Sequence, residues 1–179
     1  NTARIPDAFT VTGYFGESSL SEFIANARDF ERGIYVIVRP SDPSADVIHE
    51  FGGARPLYWH LSSLVAHLGS DETLVGKCGL SCVGAVVAPK DPESTMSLRK
   101  AMPRTPFLVP GYGAQGATAA DCRACYRASG DGAIINASRS VIYAFEKQEM
   151  RDRFGDDWRE SIRFAARNFA ADVGKSCGR

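Results

Sequence analysis

Five short apolar segments, each followed by a helix-like stretch, constrain the fold of this chain more than any other feature. The segments are rich in β-branched residues and lack the polar–apolar alternation of a half-exposed strand. They are Ala8 to Thr12, Ile34 to Arg39, Cys82 to Ala88, Phe107 to Val109 and Ala133 to Asn136. Strands that are apolar on both faces are typical of parallel sheets covered by helices. The sequence therefore predicts an α/β fold, either a doubly wound sheet or a β/α barrel.

The stretches outside these strands predict helices with one apolar face. Ser18 and Ser19 are candidate N-caps for the first helix. After the last strand, a long amphipathic tail is expected to cover the sheet from outside. The apolar faces are Leu20, Phe23, Ile24 and Ala27; Leu57, Leu61, Leu64, Val65 and Leu68; and, in the tail, Trp158, Ile162, Ala165, Phe169 and Val173.

Charge and hydrophobicity limit the classes of partner. The 21 basic and 21 acidic residues cancel, and 44% of the 179 residues are hydrophobic. This balance gives no electrostatic reason to expect nucleic acid or a membrane surface as a partner, and no apolar run approaches the roughly 20 residues that span a bilayer. The N-terminus also lacks the pattern of a signal peptide. We expect residues 1–179 to form a single domain in the cytoplasm that binds a small molecule.

The cysteines and histidines give no clear catalytic or metal-binding pattern. A four-thiolate zinc site is conceivable on the spacing of Cys78 with Cys82 and of Cys122 with Cys125. However, the second pair lies in a helix-like stretch without a turn-forming knuckle, and Cys177 makes the number of cysteines odd. We therefore expect reduced, packed thiols and no metal. The three histidines, His49, His60 and His67, are predicted to be surface residues.

The glycine-rich loop after the fourth predicted strand carries the clearest functional signal. In parallel α/β folds, ligands bind beyond the carboxyl ends of the strands. The loop from Pro110 to Gly116 contains three glycines and precedes a helix predicted near Thr118. Glycines allow backbone N–H groups to approach an anion closely, and Arg139, after the next strand, could hold a phosphate in bidentate fashion. The two loops together predict a phosphate site, like the one that often follows strands 7 and 8 of a barrel.

Two other interpretations of the loop remain open at this point. Gly111, Gly113 and Gly116 also satisfy the dinucleotide-binding pattern G-x-G-x-x-G, with Arg139 as a ligand for the 2′-phosphate of NADP. That pattern normally opens the first βαβ unit, whereas three predicted strands precede it here. The glycines could also form a purely structural turn.

Several runs of this sequence resemble one enzyme family. The runs from Phe107 to Gly116 and from Gly132 to Ser140 closely match the last two strand ends of the orotidine 5′-phosphate decarboxylases, particularly the longer-chain bacterial branch. Upstream, the runs from Asp7 to Gly16, Val36 to Ala45 and Val83 to Ala88 resemble the fourth, fifth and sixth strands of that family. The resemblance covers most of the chain and implies a TIM-type (β/α) barrel, represented here by about strands 4 to 8.

The resemblance also implies roles for individual residues. The phosphate-binding residues of the family correspond to Gln115 and Arg139, with backbone help near Ser138 and Gly116. The serine that meets the pyrimidine ring corresponds to Ser41, and Pro110 would form a wall of the pocket near the reacting carboxylate. On the residues alone, Ser41 could equally be a turn residue, because Pro40-Ser41-Asp42-Pro43 is typical turn chemistry.

The reaction implied by the family is the loss of CO₂ from orotidine 5′-phosphate (OMP) to give uridine 5′-phosphate (UMP), without a cofactor and usually in a homodimer. This sequence departs from the bacterial branch on the pyrimidine side of the pocket. Pro40-Ser41-Asp42 stands in place of Thr-Ser-Asn, Thr12-Gly13-Tyr14 in place of Asn-Pro-Tyr, and Val87-Ala88-Pro89 in place of Gly-Ala-Thr.

The charged residues that carry out this reaction are not found in the sequence. The family uses an Asp-x-Lys-x-x-Asp array and a further lysine, whereas none of the five lysines here has an aspartate two residues before it. They are Lys77, Lys90, Lys100, Lys147 and Lys175. Because five strands cannot close an eight-stranded barrel, and the chain starts at Asn1 without an initiator methionine, we expect a fragment that lacks the N-terminal strands. The alternative is a catalytically inactive phosphate- or nucleotide-binding module.

Overall fold

A computed structural model describes residues 6–113 and 115–176 of the protein. The expectations about Asn1 and Cys177, and one residue of the glycine loop, Ala114, lie outside these residues. The strands are β1 (Ala8–Thr12), β2 (Gly33–Arg39), β3 (Val83–Val87), β4 (Phe107–Val109) and β5 (Ala133–Ile135). The helices are α1 (Gly16–Asp29), α2 (Asp46–His49), α3 (Leu57–Leu68), α4 (Pro92–Ala101), α5 (Ala119–Cys122), α6 (Gln148–Phe154) and α7 (Trp158–Ser176).

The five predicted strands are confirmed, and they form one parallel sheet in the order β1-β2-β3-β4-β5. A doubly wound sheet reverses its order at a switch point. Here each strand lies beside the one that precedes it in the chain, so the right-handed crossovers carry the helices to the same side. This sequential order is that of a barrel wall and not of a doubly wound sheet.

The two faces of the sheet differ in burial. Ile34, Val36 and Val38 on β2 point towards the helices and are completely buried. On the opposite face, the β2 residues are only partly buried, Thr10 on β1 is exposed, and Ile134 on β5 keeps 57% of its surface exposed. The core therefore lies between the sheet and its helices, whereas the other face keeps apolar surface exposed.

The helices agree with the predicted apolar faces except at one start. Ser18 and Ser19 lie inside α1 and do not cap it, so that prediction was wrong. The residue before α1 is Phe15, whose hydrocarbon side chain cannot form a capping hydrogen bond, and a 3₁₀ turn over Gly13–Phe15 comes first. Thr12 caps that turn by accepting a hydrogen bond from the Tyr14 N–H at 3.4 Å. The residue that caps this segment is therefore Thr12, one short turn before α1 begins.

The amphipathic tail forms α7, as predicted, and packs on the outside of the barrel wall. Ala165 is buried, and the ring of Phe169 contacts that of Tyr112 with centroids 4.8 Å apart. The first residue of the predicted face, Trp158, is 49% exposed and buries less apolar surface than the pattern implied. The tail thus meets the glycine loop directly through Tyr112.

The described cysteines do not gather into a metal site. Cys122 and Cys125 are buried and Cys78 is exposed, and no group of three or more potential metal ligands occurs within residues 6–113 and 115–176. Burial raises the pKa of the Cys125 thiol to about 12, which favours the protonated thiol over the thiolate that zinc requires. No helix in these same two ranges is both long enough and apolar enough to cross a membrane.

Candidate functional site

A β-bulge at the carboxyl end of β2 buries Arg39. The pairing of β2 with β3 shifts between Ile37 and Arg39, so Val38 and Arg39 are both buried although they are adjacent. Bulges of this kind redirect a side chain at the end of a strand. The Arg39 guanidinium lies 4.4 Å from the centre of the Tyr58 ring.

Arg39 connects the loop after β2 with the loop after β3. Its guanidinium donates to Glu50 at 2.8 Å, to Ser94 at 2.6 Å and to Asp91 at 3.4 Å. Asp91 is also the N-cap of α4 and accepts from the Ser94 backbone N–H at 2.8 Å. Burial alone would raise the pKa of Asp91, but the hydrogen bonds from Ser94 and the charge of Arg39 lower it overall. The loop that contains Ser41 and the loop that contains Pro89 are thereby held together.

His49 connects the ends of β1 and β2. Its ring nitrogens lie 3.0 Å from the Val38 carbonyl oxygen and 3.0 Å from the Tyr14 hydroxyl. Because a carbonyl only accepts, Nδ1 donates to Val38, and in the neutral ring Nε2 accepts from Tyr14. Burial lowers the pKa of His49, which favours this neutral form. The prediction that His49 lies on the surface was wrong, whereas His60 and His67 are exposed.

The glycine loop after β4 is shaped by backbone conformations that favour glycine. Gly111, Gly113 and Gly116 have φ angles of 105°, 70° and 92°. The N–H groups of Gly113, Gly116 and Ala117 donate to carbonyls within the loop at 2.8, 3.0 and 3.2 Å. These three N–H groups are therefore engaged with the loop itself, contrary to the simple expectation of amides that point at an anion.

The loop after β5 contacts the glycine loop. Arg139 lies in a single π-helical turn over Ser138–Ile142. A Cβ atom added to Gly113 would lie 3.0 Å from the Ser140 Cβ, so the two loops touch where one of them has no side chain. Gln115, Ser138 and Arg139 are exposed, and within the described ranges the side chains of Gln115 and Arg139 make no hydrogen bond or ion pair.

A cavity of about 320 Å³ at the carboxyl ends of β2, β3 and β4 brings together four of the six predicted site residues. Ser41, Pro110, Gln115 and Gly116 line it. Arg139 and Ser138 do not line this cavity and lie beyond the contact between Gly113 and Ser140. The cavity thus joins the predicted pyrimidine side to the glycine loop, with Arg139 on the neighbouring loop.

An ion pair between Lys90 and Asp46 also lines the cavity, and sequence reasoning missed it. Lys90 comes three residues after β3, and Asp46 begins α2 on the neighbouring loop. The sequence contained a signal for Lys90, because residues just after parallel strands point towards the ligand site.

The structure argues against the dinucleotide interpretation of the glycines. The helix after the loop, α5, has only four residues and is capped by Thr118, which shares a reciprocal capping box with Asp121. A dinucleotide site uses a full crossover helix at a switch point of the strand order. The loop instead follows the fourth strand of a sequentially ordered sheet, whose strand order has no switch point there.

Comparison with known proteins agrees with this geometry. The model of the orotidine 5′-phosphate decarboxylase / HUMPS family matches residues 4–153. The orotidine 5′-phosphate decarboxylase of Rhodopirellula baltica is 35% identical over 161 residues, which cover 89% of this chain and 53% of the relative. That of Clostridium perfringens (strain 13 / Type A) is 33% identical over 168 residues, covering 89% of this chain and 58% of the relative.

A solved structure shows the same relationship in three dimensions. The OMP decarboxylase of Leishmania donovani superposes with a TM-score of 0.65 at 26% identity, over 96% of this chain and 57% of that one. The chain spans little more than half the length of these relatives. The sequential parallel sheet, the cavity at the carboxyl ends of its strands and the match over residues 4–153 together show that the chain belongs to the orotidine 5′-phosphate decarboxylase / HUMPS family.

Proposed function

We propose that this chain forms the phosphate-binding side and part of the pyrimidine-binding side of an orotidine 5′-phosphate decarboxylase. The observation that carries the proposal is the cavity that unites Ser41 and Pro110 with Gln115 and Gly116. These residues come from two separate segments of the sequence, the loops after β2 and β4, and meet at the carboxyl edge of the sheet, where β/α barrels bind their ligands.

In this proposal, β1 to β5 correspond to about strands 4 to 8 of an eight-stranded barrel. The sequential strand order and the partly exposed face that carries Thr10 and Ile134 support this correspondence, because three further strands would close the barrel over that face. The charged catalytic residues would lie on those strands, outside this chain. Completion of the barrel, assembly as a homodimer and location in the cytoplasm are parts of the same proposal.

The proposed chemistry needs no cofactor. Loss of CO₂ from OMP leaves negative charge on a ring carbon, which a nearby ammonium group can stabilise and then protonate. The phosphate is remote from this carbon, yet its binding energy can lower the barrier if it closes the glycine loop over the site and excludes water. Gln115, Arg139 and Ser138 would act through that phosphate, with Gly116 shaping the loop, whereas Ser41 and Pro110 would position the ring.

A titration of the 179-residue chain with UMP tests the binding half of the proposal. Isothermal titration calorimetry should detect UMP binding, with uridine clearly weaker because it lacks the phosphate. Equal affinity for the two ligands, or no UMP binding, would contradict the proposal. NADP serves as a control ligand, and competition between NADP and UMP for the same site would favour a dinucleotide-binding protein instead.

Activity assays then separate a catalytic chain from a binding module. The chain alone should not convert OMP to UMP, and it should gain activity when the first three strands of a related decarboxylase are supplied on the same or a second chain. Turnover by the unsupplemented chain would contradict the assignment of the catalytic residues to a missing part. UMP binding without turnover in any completed barrel would favour the inactive nucleotide-binding module.

A further inference from the structure

Lys90 is the basic side chain among the residues that line the cavity shared by Ser41, Pro110 and Gln115, and the proposed function gives it no role. The residue follows β3, so its position in the sheet is between the Ser41 loop after β2 and the Pro110 loop after β4. Its side chain keeps only 19% of its surface exposed, and its ammonium group is paired with Asp46. Lys90 therefore presents a positive charge at the centre of the site.

Among residues 6–113 and 115–176, Asp46 is the one ion-pair partner of the Lys90 ammonium group. The charges of Arg39, at the end of β2, and of Asp42, in the loop after it, act electrostatically on this ammonium group. Asp121 contributes a second carboxylate to the cavity lining, besides Asp46. Asp121 is already engaged, because it accepts from the Thr118 N–H at 2.8 Å and from the Thr118 hydroxyl at 2.7 Å. Burial and the charge of Arg39 lower the pKa of Lys90, whereas the charge of Asp42 raises it.

Stability alone does not account for this ion pair. Asp46 keeps 44% of its side-chain surface exposed, and ion pairs with one exposed partner contribute little to folding. A mostly buried ammonium group, by contrast, carries a desolvation cost that any suitable anion can offset. An incoming anionic ligand can therefore replace Asp46 as the partner of Lys90 at little cost.

We propose that Lys90 is a second cationic contact for the ligand, besides Arg139, and that Asp46 holds the ammonium group in the cavity until an anionic oxygen of the ligand replaces it. This inference rests on the proposed function, because it places a nucleotide in the same cavity. The anionic oxygen could belong to the phosphate or to a ring carboxylate, and the two sources are separable by choice of ligand.

The proposal predicts opposite effects for the two partners of the ion pair. Lys90→Gln removes the cation, so ligand affinity should fall by about tenfold, as expected for loss of one charge-assisted hydrogen bond. Asp46→Asn removes the competitor and frees Lys90, so affinity should rise. A purely structural ion pair predicts no rise for Asp46→Asn, since both changes would only loosen the loops.

Calorimetric titration of the full chain and its variants tests this with three ligands. UMP carries only the phosphate, orotidine only the ring carboxylate, and uridine neither. If Lys90→Gln loses affinity for UMP alone, the phosphate is the partner of Lys90. If it loses affinity for orotidine alone, the ring carboxylate is the partner. Uridine affinity should be equal in all variants. Lys90→Arg keeps the charge and should retain most of the affinity, and it carries the test together with Asp46→Asn if Lys90→Gln does not fold.

Two results would overturn the inference, and they are distinguishable. If the unaltered chain binds UMP but Lys90→Gln and Asp46→Asn bind UMP and orotidine with unchanged affinity, Lys90 is not a ligand contact, and the proposed function stands. If the unaltered chain binds neither UMP nor orotidine, the proposed function fails, and the inference fails with it.

Discussion

The two halves of the ligand-binding edge differ in how their side chains are held. The β1–β3 rim, which we define as residues 12–16, 39–50 and 88–94, is cross-linked by Arg39, by His49 and by the pair of Lys90 with Asp46. The β4–β5 rim, residues 110–113, 115–118 and 136–142, is held by backbone hydrogen bonds within the glycine loop and by the side chains of Tyr112 and Thr118, whereas Gln115 and Arg139 extend from it exposed.

This difference suggests a division of labour. A pocket wall that must discriminate a flat ring benefits from side chains fixed before the ligand arrives. A phosphate grip that closes over its ligand benefits from side chains that are free until then. We infer that the β1–β3 rim is preformed and that the β4–β5 rim adapts.

The largest expected effect is the loss of stability when the β1–β3 rim loses Arg39. Arg39→Ala removes the hydrogen bonds of a buried guanidinium to Glu50, Ser94 and Asp91 and its packing on Tyr58, so the free energy of unfolding should fall by about 3 kcal/mol. Urea denaturation, monitored by circular dichroism, measures this loss of stability. Arg104→Ala, which breaks an exposed pair with Glu72, is the matched control and should cost much less.

The second prediction concerns the free side chain of the β4–β5 rim. Arg139→Ala should leave stability unchanged, because Arg139 is exposed, yet weaken UMP binding by roughly 2 kcal/mol, about 30-fold in Kd. Calorimetry with UMP measures the change. In a completed enzyme, the same substitution should lower kcat/KM. Arg151→Ala, an exposed arginine on α6, is the control, and an equal loss in both variants would point to a non-specific charge effect.

A third prediction sharpens the contact between the two loops of the β4–β5 rim. Gly113→Ala and Gly116→Ala both force alanine into a positive φ, but only the Cβ at position 113 would press on Ser140. Gly113→Ala should therefore destabilise the fold by about 1 kcal/mol more than Gly116→Ala. Thermal unfolding of the two variants compares them. Equal losses would mean that Ser140 moves aside freely.

The smallest expected effect is a pH dependence that His49 confers on the β1–β3 rim. The folded pKa of His49 is below the ordinary value of 6.5, so its stabilising contribution is fully present above that pH and is lost as the pH falls through the folded pKa. Thermal unfolding should therefore show a decrease in Tm between pH 7.5 and pH 5.5. His49→Gln should remove the slope, and a slope that persists in this variant would assign it to another group.

The sequence determined the elements and their order because their signals are local. All five strands were predicted to within one or two residues at each end, since a short continuous run rich in apolar and β-branched residues is typical of a strand in a parallel sheet covered by helices. Ser41 and Pro110 lie just after such strands, where ligand residues are expected, but their roles and that of Gln115 were implied only by the resemblance to a family.

Only the tertiary structure decided how these elements combine. Nothing in the pattern of Arg39, Glu50 and Asp91 shows that a bulge buries the guanidinium between them, because the three residues are 11 and 52 positions apart. His49 looked like a surface residue because its two hydrogen-bond partners come from other segments. Local periodicity reports which face of an element is apolar, whereas the burial of a polar side chain depends on distant partners that compensate its desolvation.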